Sequence, residues 1–142
     1  MIGTNVEEVN GLHIKPSPGN CKTSNTIYMV TCNLCNKSYI GRTTQPLSKR
    51  MSGHRECFYK VLRSHSDVDI LSDEFSLGLH IFNEHGATDA MDFNDFYNVQ
   101  IVENCNPASL DKKEHCYIHK YNTLSPIGLN KTNPFGLPIL AT

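Results

Sequence analysis

From Thr26 onward the apolar and polar positions sort into definite elements. TIYMVT (26–31) and KSYIG (37–41) are short β-branched and aromatic runs separated by the turn-like CNLCN, a pattern that predicts a β-hairpin. Asn36 closes that turn, and asparagine tolerates the left-handed backbone that a tight knuckle requires. Pro46 suits the first position of a helix capped by Thr44 or Gln45, and QPLSKRMSGHRECFYKVLRSH continues with Gly53 as its sole breaker. At helical spacing Leu47, Met51, Phe58, Val61 and Leu62 fall on one stripe about 100° wide. His54 lies inside that stripe and Arg50 on its edge. A second helix is predicted from Asp73 as N-cap to Gly86 as stop, burying Phe75, Leu79 and Phe82. NDFYNVQIVEN (94–104) reads as a third strand. Ser109 caps a last helix in which Leu110, Tyr117, Ile118 and Tyr121 share a face with Glu114. The turn formers of LSPIGLNKTNPFG follow.

Hairpin, helix, helix, strand, helix is the order of an α+β domain, a small three-stranded antiparallel sheet flanked by helices. The predicted division is an N-terminal extension (1–24, with Pro16, Pro18 and little periodicity), a domain over 25–131 and a C-terminal tail over 132–142. A length of 142 residues fits one domain and not a multidomain enzyme. Leu, Ile, Val and Phe supply 35 residues, about a quarter of the chain, enough to exclude intrinsic disorder. No run of 18 apolar residues and no leader pattern is present, so the expectation is an intracellular protein without membrane contact.

The net charge of −1 conceals a strong asymmetry. Residues 37–63 carry seven cations against Glu56 alone, whereas 64–104 carry nine acidic residues and no Lys or Arg. Such blocks fit one face turned to an anionic partner and another turned away, or an ordinary salt-bridged surface. Two ionisable groups sit on apolar stripes, His54 and Glu114. Burying them requires a partner or a function. For His54 the structural alternative is a core histidine bonded to a carbonyl; for Glu114 it is a buried ion pair with Arg50 or Lys113.

TIYMV followed by SYIGRT resembles the paired motif that names the GIY-YIG endonucleases, with Thr26 in place of the first glycine. Further pieces resemble that family in order. Arg50 and His54 in LSKRMSGHR match its R-x-x-x-H helix, Glu114 in KKEHCYIHKYN its metal-binding glutamate, and Asn130 in PIGLN its closing asparagine. With C-x-x-C in the hairpin turn and H-x-x-x-x-H downstream, the chain is most similar to the nuclease domain of Penelope-like retroelements. No reverse transcriptase is present in the chain, so the resemblance implies an excised domain or a relative that stands alone, with a fused or associated reverse transcriptase as a partner, and a nuclear location.

The resemblance implies metal-dependent hydrolysis of DNA phosphodiesters. In that reading Glu114 holds Mg²⁺ or Mn²⁺, Arg50 pairs with phosphate oxygens in fork geometry, Tyr28 is general base helped by His54, Tyr39 orients phosphate or water, and Asn130 fixes the last helix and the phosphate pocket. Arg42, Lys49, Arg55 and Lys60 would lie near DNA phosphates. Without the family pattern, Tyr28 and Tyr39 read as core tyrosines of strands.

The zinc reading has its own chemistry. Cys32 and Cys35 have knuckle spacing between strands, which disfavours a thioredoxin-like role, and His80 with His85 completes a Cys2His2 set. On a continuous helix those histidines diverge by roughly 140°, so the set requires the helix to end near Gly86. Cys21, Cys57 and His65 are reserve ligands, and His115 with His119 is a second pair at helical spacing. Two other readings remain: a zinc-stabilised nucleic-acid or protein-binding module without catalysis, and a secreted disulfide protein using the six cysteines.

Overall fold

A computed structural model describes residues 8–9, 12–13, 19–64, 68–70, 72–87 and 91–131. The predicted C-terminal tail, His65 and most of residues 1–18 lie outside the described residues. Two two-residue strands, β1 (Glu8–Val9) and β2 (Leu12–His13), pair antiparallel within the segment expected as an extension. Then follow β3 (Thr26–Cys32), β4 (Ser38–Thr43), α1 (Leu47–Ser64), α2 (Ser76–His85), the short α3 (Phe93–Phe96), β5 (Tyr97–Asn104) and α4 (Leu110–Tyr121).

The sheet runs β4-β3-β5, antiparallel throughout, with β3 central. Every residue of β3 is buried because helices cover both faces. Alternation sends Tyr28, Val30 and Cys32 to the side packed with Leu47, Met51 and Phe58 of α1 and Leu77 and Ile81 of α2. Ile27 and Met29 join Ile40 and Val102 against Leu110, Ile118 and Tyr121 of α4. The α+β class and three-stranded antiparallel sheet thus match the sequence pattern.

The α1 stripe is buried as predicted at Leu47, Met51, His54, Phe58 and Val61, with Leu62 partly so. Removing a ring such as Phe58, which meets Phe93, Phe96 and Tyr97, costs about 3–5 kcal/mol in a core of this kind. α1 starts at Leu47, and neither Thr44 nor Gln45 caps it. The carbonyls of Thr23 and Cys21 accept from Leu47 N (3.0 Å) and Ser48 N (2.7 Å), so residues 21–23 are stitched onto the helix. Gly78 permits the close crossing of α2 on α1, since a Cβ there would press on Val61 and the Phe58 backbone.

Four local expectations are corrected. α2 buries Leu77, Leu79 and Ile81, while Phe75 and Phe82 are only partly buried, because Phe75 belongs to a separate 3₁₀ turn (Asp73–Phe75) and the buried stretch of α2 ends at Ile81. Ser72, not Asp73, caps that turn through Glu74 N. The third strand begins at Tyr97, because Asp92 caps a helical turn over Phe93–Phe96. Ser109 makes no side-chain cap; Asn106 caps the preceding 3₁₀ turn instead, accepting from Ala108 N (3.1 Å).

Candidate functional site

β3 supplies both candidate centres from one face. Tyr28 and Cys32 lie four residues apart, roughly 13 Å along a strand.

At the Cys32 end the hairpin turn is closed by Asn36 in the left-handed region (φ 64°), as its position in the sequence implies. The turn presents Cys32 and Cys35 toward α2. Gly86 terminates α2 in the left-handed conformation, and His85, the last helical residue, swings to within 3.2 Å of His80, Nε2 to Nε2. Cys35 Sγ stands 3.2 Å from His80 Nε2, Cys32 Sγ 3.7 Å from His85 Nε2, and all four ligand atoms lie within 4.8 Å of one another. A tetrahedron with ordinary zinc bond lengths has edges of about 3.3 Å between nitrogens and about 3.6 Å between nitrogen and sulfur. The three separations lie close to those edges, and with all four atoms within 4.8 Å the cluster can hold a metal ion such as zinc.

One supporting residue escaped the sequence reading. Glu84 Oε2 accepts from His80 Nδ1 (2.6 Å) and its other oxygen meets Lys37 Nζ (3.2 Å). This fixes the His80 tautomer with Nε2 free for a metal. The signal was present as an i,i+4 His–Glu pair. Burial holds His80 below the usual histidine range, keeping it in the neutral ligand form. The reserve ligands stay apart from this cluster: Cys57 meets Glu74 (3.4 Å), and Cys21 contributes its carbonyl to α1. All six cysteines are free thiols, against the disulfide reading.

At the Tyr28 end, α1 brings Arg50 and His54 onto the two motif tyrosines. Tyr28 OH lies 2.6 Å from His54 Nε2 and accepts from Arg50 Nε (3.1 Å). The Tyr39 ring packs edge-on to His54, centroids 5.5 Å apart, and its phenol also interacts with the Arg50 guanidinium. Burial pushes Tyr28 up to about 12, Tyr39 well above the ordinary phenol range, and His54 down to about 3. At neutral pH the phenol is therefore the donor and the neutral imidazole the acceptor. Gly41 opposes Tyr28 across the β3–β4 ladder, and a Cβ there would overlap the phenol's Cζ and hydroxyl. Only glycine admits Tyr28 to this position.

Glu114 reaches the same region from α4, which packs on β4. Its partner is neither Arg50 nor Lys113 but Arg42, whose Nε lies 3.3 Å from Glu114 Oε1 while Nη1 holds Asp111 at 2.8 Å. The sheet's alternation explains this, since Arg42 and Ile40 project toward α4 whereas Tyr39 projects toward α1. Burial raises the Glu114 carboxyl to about 7 despite Arg42, with Asp73 adding to the shift. Asp73 also raises Tyr28 and Tyr39, so a second carboxylate that sequence reasoning missed acts on the site.

Asn130, expected to fix the last helix and the phosphate pocket, lies behind the site. Its side chain brackets Ile40, accepting from Ile40 N (2.9 Å) and Thr123 Oγ1 (2.7 Å) and donating to Ile40 O (2.9 Å). It thereby fastens the segment after α4 to the strand between Tyr39 and Gly41. Ser76 Oγ donating to Leu129 O and Lys131 N donating to Asp73 join that segment to α2.

The cations expected at DNA are dispersed. Arg42 is bound to α4. Lys49 and Lys60 are exposed on one side of α1, with Lys60 over the Phe75 ring (5.4 Å). Arg55 stands about 120° away on the helix, held by Asn94 Oδ1 (3.3 Å) and the Phe93 ring. His115 and His119 join no metal-binding group among the described residues. Among those residues, no helix is long and apolar enough to cross a membrane.

Fold and cluster together define a small α+β domain with a Cys2His2 centre suited to a metal. No protein-family model, curated protein or solved structure matches the chain.

Proposed function

We propose that the chain is a GIY-YIG-type, divalent-metal-dependent DNA endonuclease, the DNA-cutting domain of a Penelope-like retroelement, working with a fused or associated reverse transcriptase. The observation that carries the reading is the buried Tyr28 hydroxyl held between His54 Nε2 (2.6 Å) and Arg50 Nε (3.1 Å). A core tyrosine needs one hydrogen-bond partner. Here it has an acceptor and a cation, on the motif positions that the resemblance makes catalytic.

The residues suit hydrolysis of a phosphodiester. A water proton passes to the Tyr28 oxygen as the phenol proton passes to His54. The hydroxide oxygen bonds to phosphorus as the bond from phosphorus to the leaving sugar oxygen breaks, and that oxygen takes up a proton by way of water as His54 gives its own back. The growing negative charge on the phosphate compensates the imidazolium and is met by the Arg50 guanidinium, whose fork geometry matches phosphate oxygens. Tyr39 stiffens the imidazole from its other side.

Mg²⁺ or Mn²⁺ fits Glu114, because a carboxyl that burial raises to about 7, with Asp73 and Asp111 near, favours the arrival of a cation. When bound, such an ion polarises the scissile phosphate and activates water. Zinc at Cys32, Cys35, His80 and His85 supports the fold, and Lys49 and Lys60 contact DNA phosphates.

One observation favours a zinc-stabilised binding module without catalysis. Arg42 occupies the Glu114 carboxylate, as in a structural ion pair. Nicking of supercoiled plasmid in Mg²⁺ or Mn²⁺, native chain against Glu114→Gln, separates the two. The nuclease reading expects metal-dependent nicking that the variant loses with its fold intact. Equal activity in both, or none in the native chain, sinks it.

A further inference from the structure

The outer side of α4 carries a cavity that the proposed reaction does not use. It has a volume of about 440 Å³ and is lined by Ser109, Lys112, Lys113, Cys116, Tyr117 and Lys120. Three of the six lining residues are lysines and none is a carboxylate. The spacing is that of one helix face, 112, 113, 116, 117 and 120, so the cations stand together by geometry and do not depend on loop placement.

The state of each lysine matters more than their number. Lys113 is paired with Glu103 at 3.3 Å. Lys120 lies over the rings of Tyr117 (5.9 Å) and Tyr121 (5.4 Å), with no carboxylate partner among the described residues. Lys112 is exposed and also has no ion pair there. Elsewhere the cations Lys37 and Arg42 are neutralised by Glu84, Glu114 and Asp111. The wall is rigid as well. Tyr117 donates its hydroxyl to Glu103 (2.5 Å) and stacks on the buried Tyr121, rings 6° from parallel. Ser109 makes no capping bond, leaving its hydroxyl as a donor at the N-terminal end of the cavity.

Two ammonium groups without a carboxylate partner among the described residues, a third shared with Glu103, and a hydroxyl that makes no capping bond, all around one concavity, are the complement of a phosphate backbone. We propose that this face of α4 is a nucleic-acid docking surface, in which Lys112 and Lys120 contact backbone phosphates of DNA. It lies across the sheet from α1, so it engages a stretch of DNA apart from the one that Lys49 and Lys60 contact. The proposal rests on the reading of the chain as a DNA-binding protein but not on catalysis.

The test measures equilibrium binding of the zinc-loaded full chain to a fluorescent 30-base-pair duplex over a salt series, without added Mg²⁺ or Mn²⁺ so that nothing is cut. Lys112→Gln/Lys120→Gln should lower the slope of log affinity against log salt by about two phosphate contacts. Lys49→Gln/Lys60→Gln should lower it separately, and the four changes together should add. Neither Lys112 nor Lys120 holds an ion pair among the described residues, and Lys120 gives up only its contacts with the Tyr117 and Tyr121 rings, so the melting temperature should move little. Sodium polyglutamate at equal charge should compete far less well than unlabelled DNA. An unchanged slope in Lys112→Gln/Lys120→Gln, with the native chain binding DNA, overturns the α4 surface alone. Equal competition by polyglutamate overturns its commitment to a nucleic acid. Failure of the native chain to bind DNA overturns both this proposal and the reading beneath it.

Discussion

The Tyr28 hydroxyl and the His54 Nε2 stand 2.6 Å apart, with both side chains buried between β3 and α1. Because burial depresses His54 to about 3, the imidazole is neutral in the fold and is the acceptor of this bond. In the unfolded chain it titrates near 6.5.

That difference fixes a pH dependence. Between pH 6.5 and about 3 the unfolded state binds a proton that the folded state refuses, so folding stability is full above pH 6.5 and declines as pH falls through the window. The slope attributable to this one group is about 1.4 kcal/mol per pH unit. His54→Gln has no titrating ring and should lose stability less steeply between pH 6 and 4, although it starts lower at pH 7. Denaturant unfolding at several pH values checks this. Parallel native and variant curves would mean that His54 is not the group resisting protonation.

Gly41 is the other half of the Tyr28 environment. A methyl group at this position overlaps the phenol, so Gly41→Ala must displace Tyr28 or shift β4. Overpacking of this kind costs about 1–3 kcal/mol, and the displaced hydroxyl breaks the bonds to His54 and Arg50. The expected outcome is a folded protein with a lower melting temperature and nicking reduced far more than stability. Full nicking activity in Gly41→Ala would detach the Tyr28 hydroxyl from the chemistry.

The metal cluster yields a prediction about which cysteines matter. Cys32→Ser and His80→Ala should each lose about one bound zinc per chain, read by elemental analysis, and melt lower by about 4 °C for each kcal/mol lost. Cys21→Ser and Cys57→Ser should keep the zinc, since neither residue approaches the cluster. Glu84→Gln should retain zinc with weaker affinity, because an amide still contacts His80 but no longer strengthens its ligand nitrogen. Retention of metal in Cys32→Ser would rule out the hairpin turn as a ligand source.

What was legible in the chain follows a physical line. The β3 and β4 runs with Tyr28 and Tyr39 are set by local composition, and the period-3.6 stripe of α1 placed His54 on its buried face. The Cys32–Cys35 knuckle was equally local. His80 and His85 required a helix ending at Gly86, and glycine's left-handed freedom there made that readable. The pairing of Glu114 with Arg42 was not readable, because it depends on α4 meeting the β4 edge, 72 residues away in the chain. The bonds of Asn130 to Ile40 and of Lys131 to Asp73 are of the same long-range kind. The buried face of α2 was not readable because residues Ser76–Ile81 are buried all round, a consequence of tertiary packing that leaves no stripe in the sequence.

The Arg42 pairing leads to a prediction about metal affinity that either reading of the chain must face. If Glu114 takes a divalent cation, that cation competes with a guanidinium already 3.3 Å from the carboxylate. Removing the competitor then tightens binding. Arg42 is half exposed, so the pair contributes about 0.2–1 kcal/mol and the gain should be at most about fivefold. Arg42→Met should therefore bind Mn²⁺ more tightly than the native chain, read by electron paramagnetic resonance on protein without DNA. Asp111→Asn should do the reverse, because Arg42 without its 2.8 Å partner turns wholly to Glu114. Glu114→Gln should remove the Mn²⁺ signal change altogether. If Glu114→Gln leaves Mn²⁺ binding untouched, the ion binds elsewhere and Glu114 is one member of a structural ion pair. If Glu114→Gln abolishes binding while Arg42→Met leaves it unchanged, Glu114 is the ligand and Arg42 moves aside without cost.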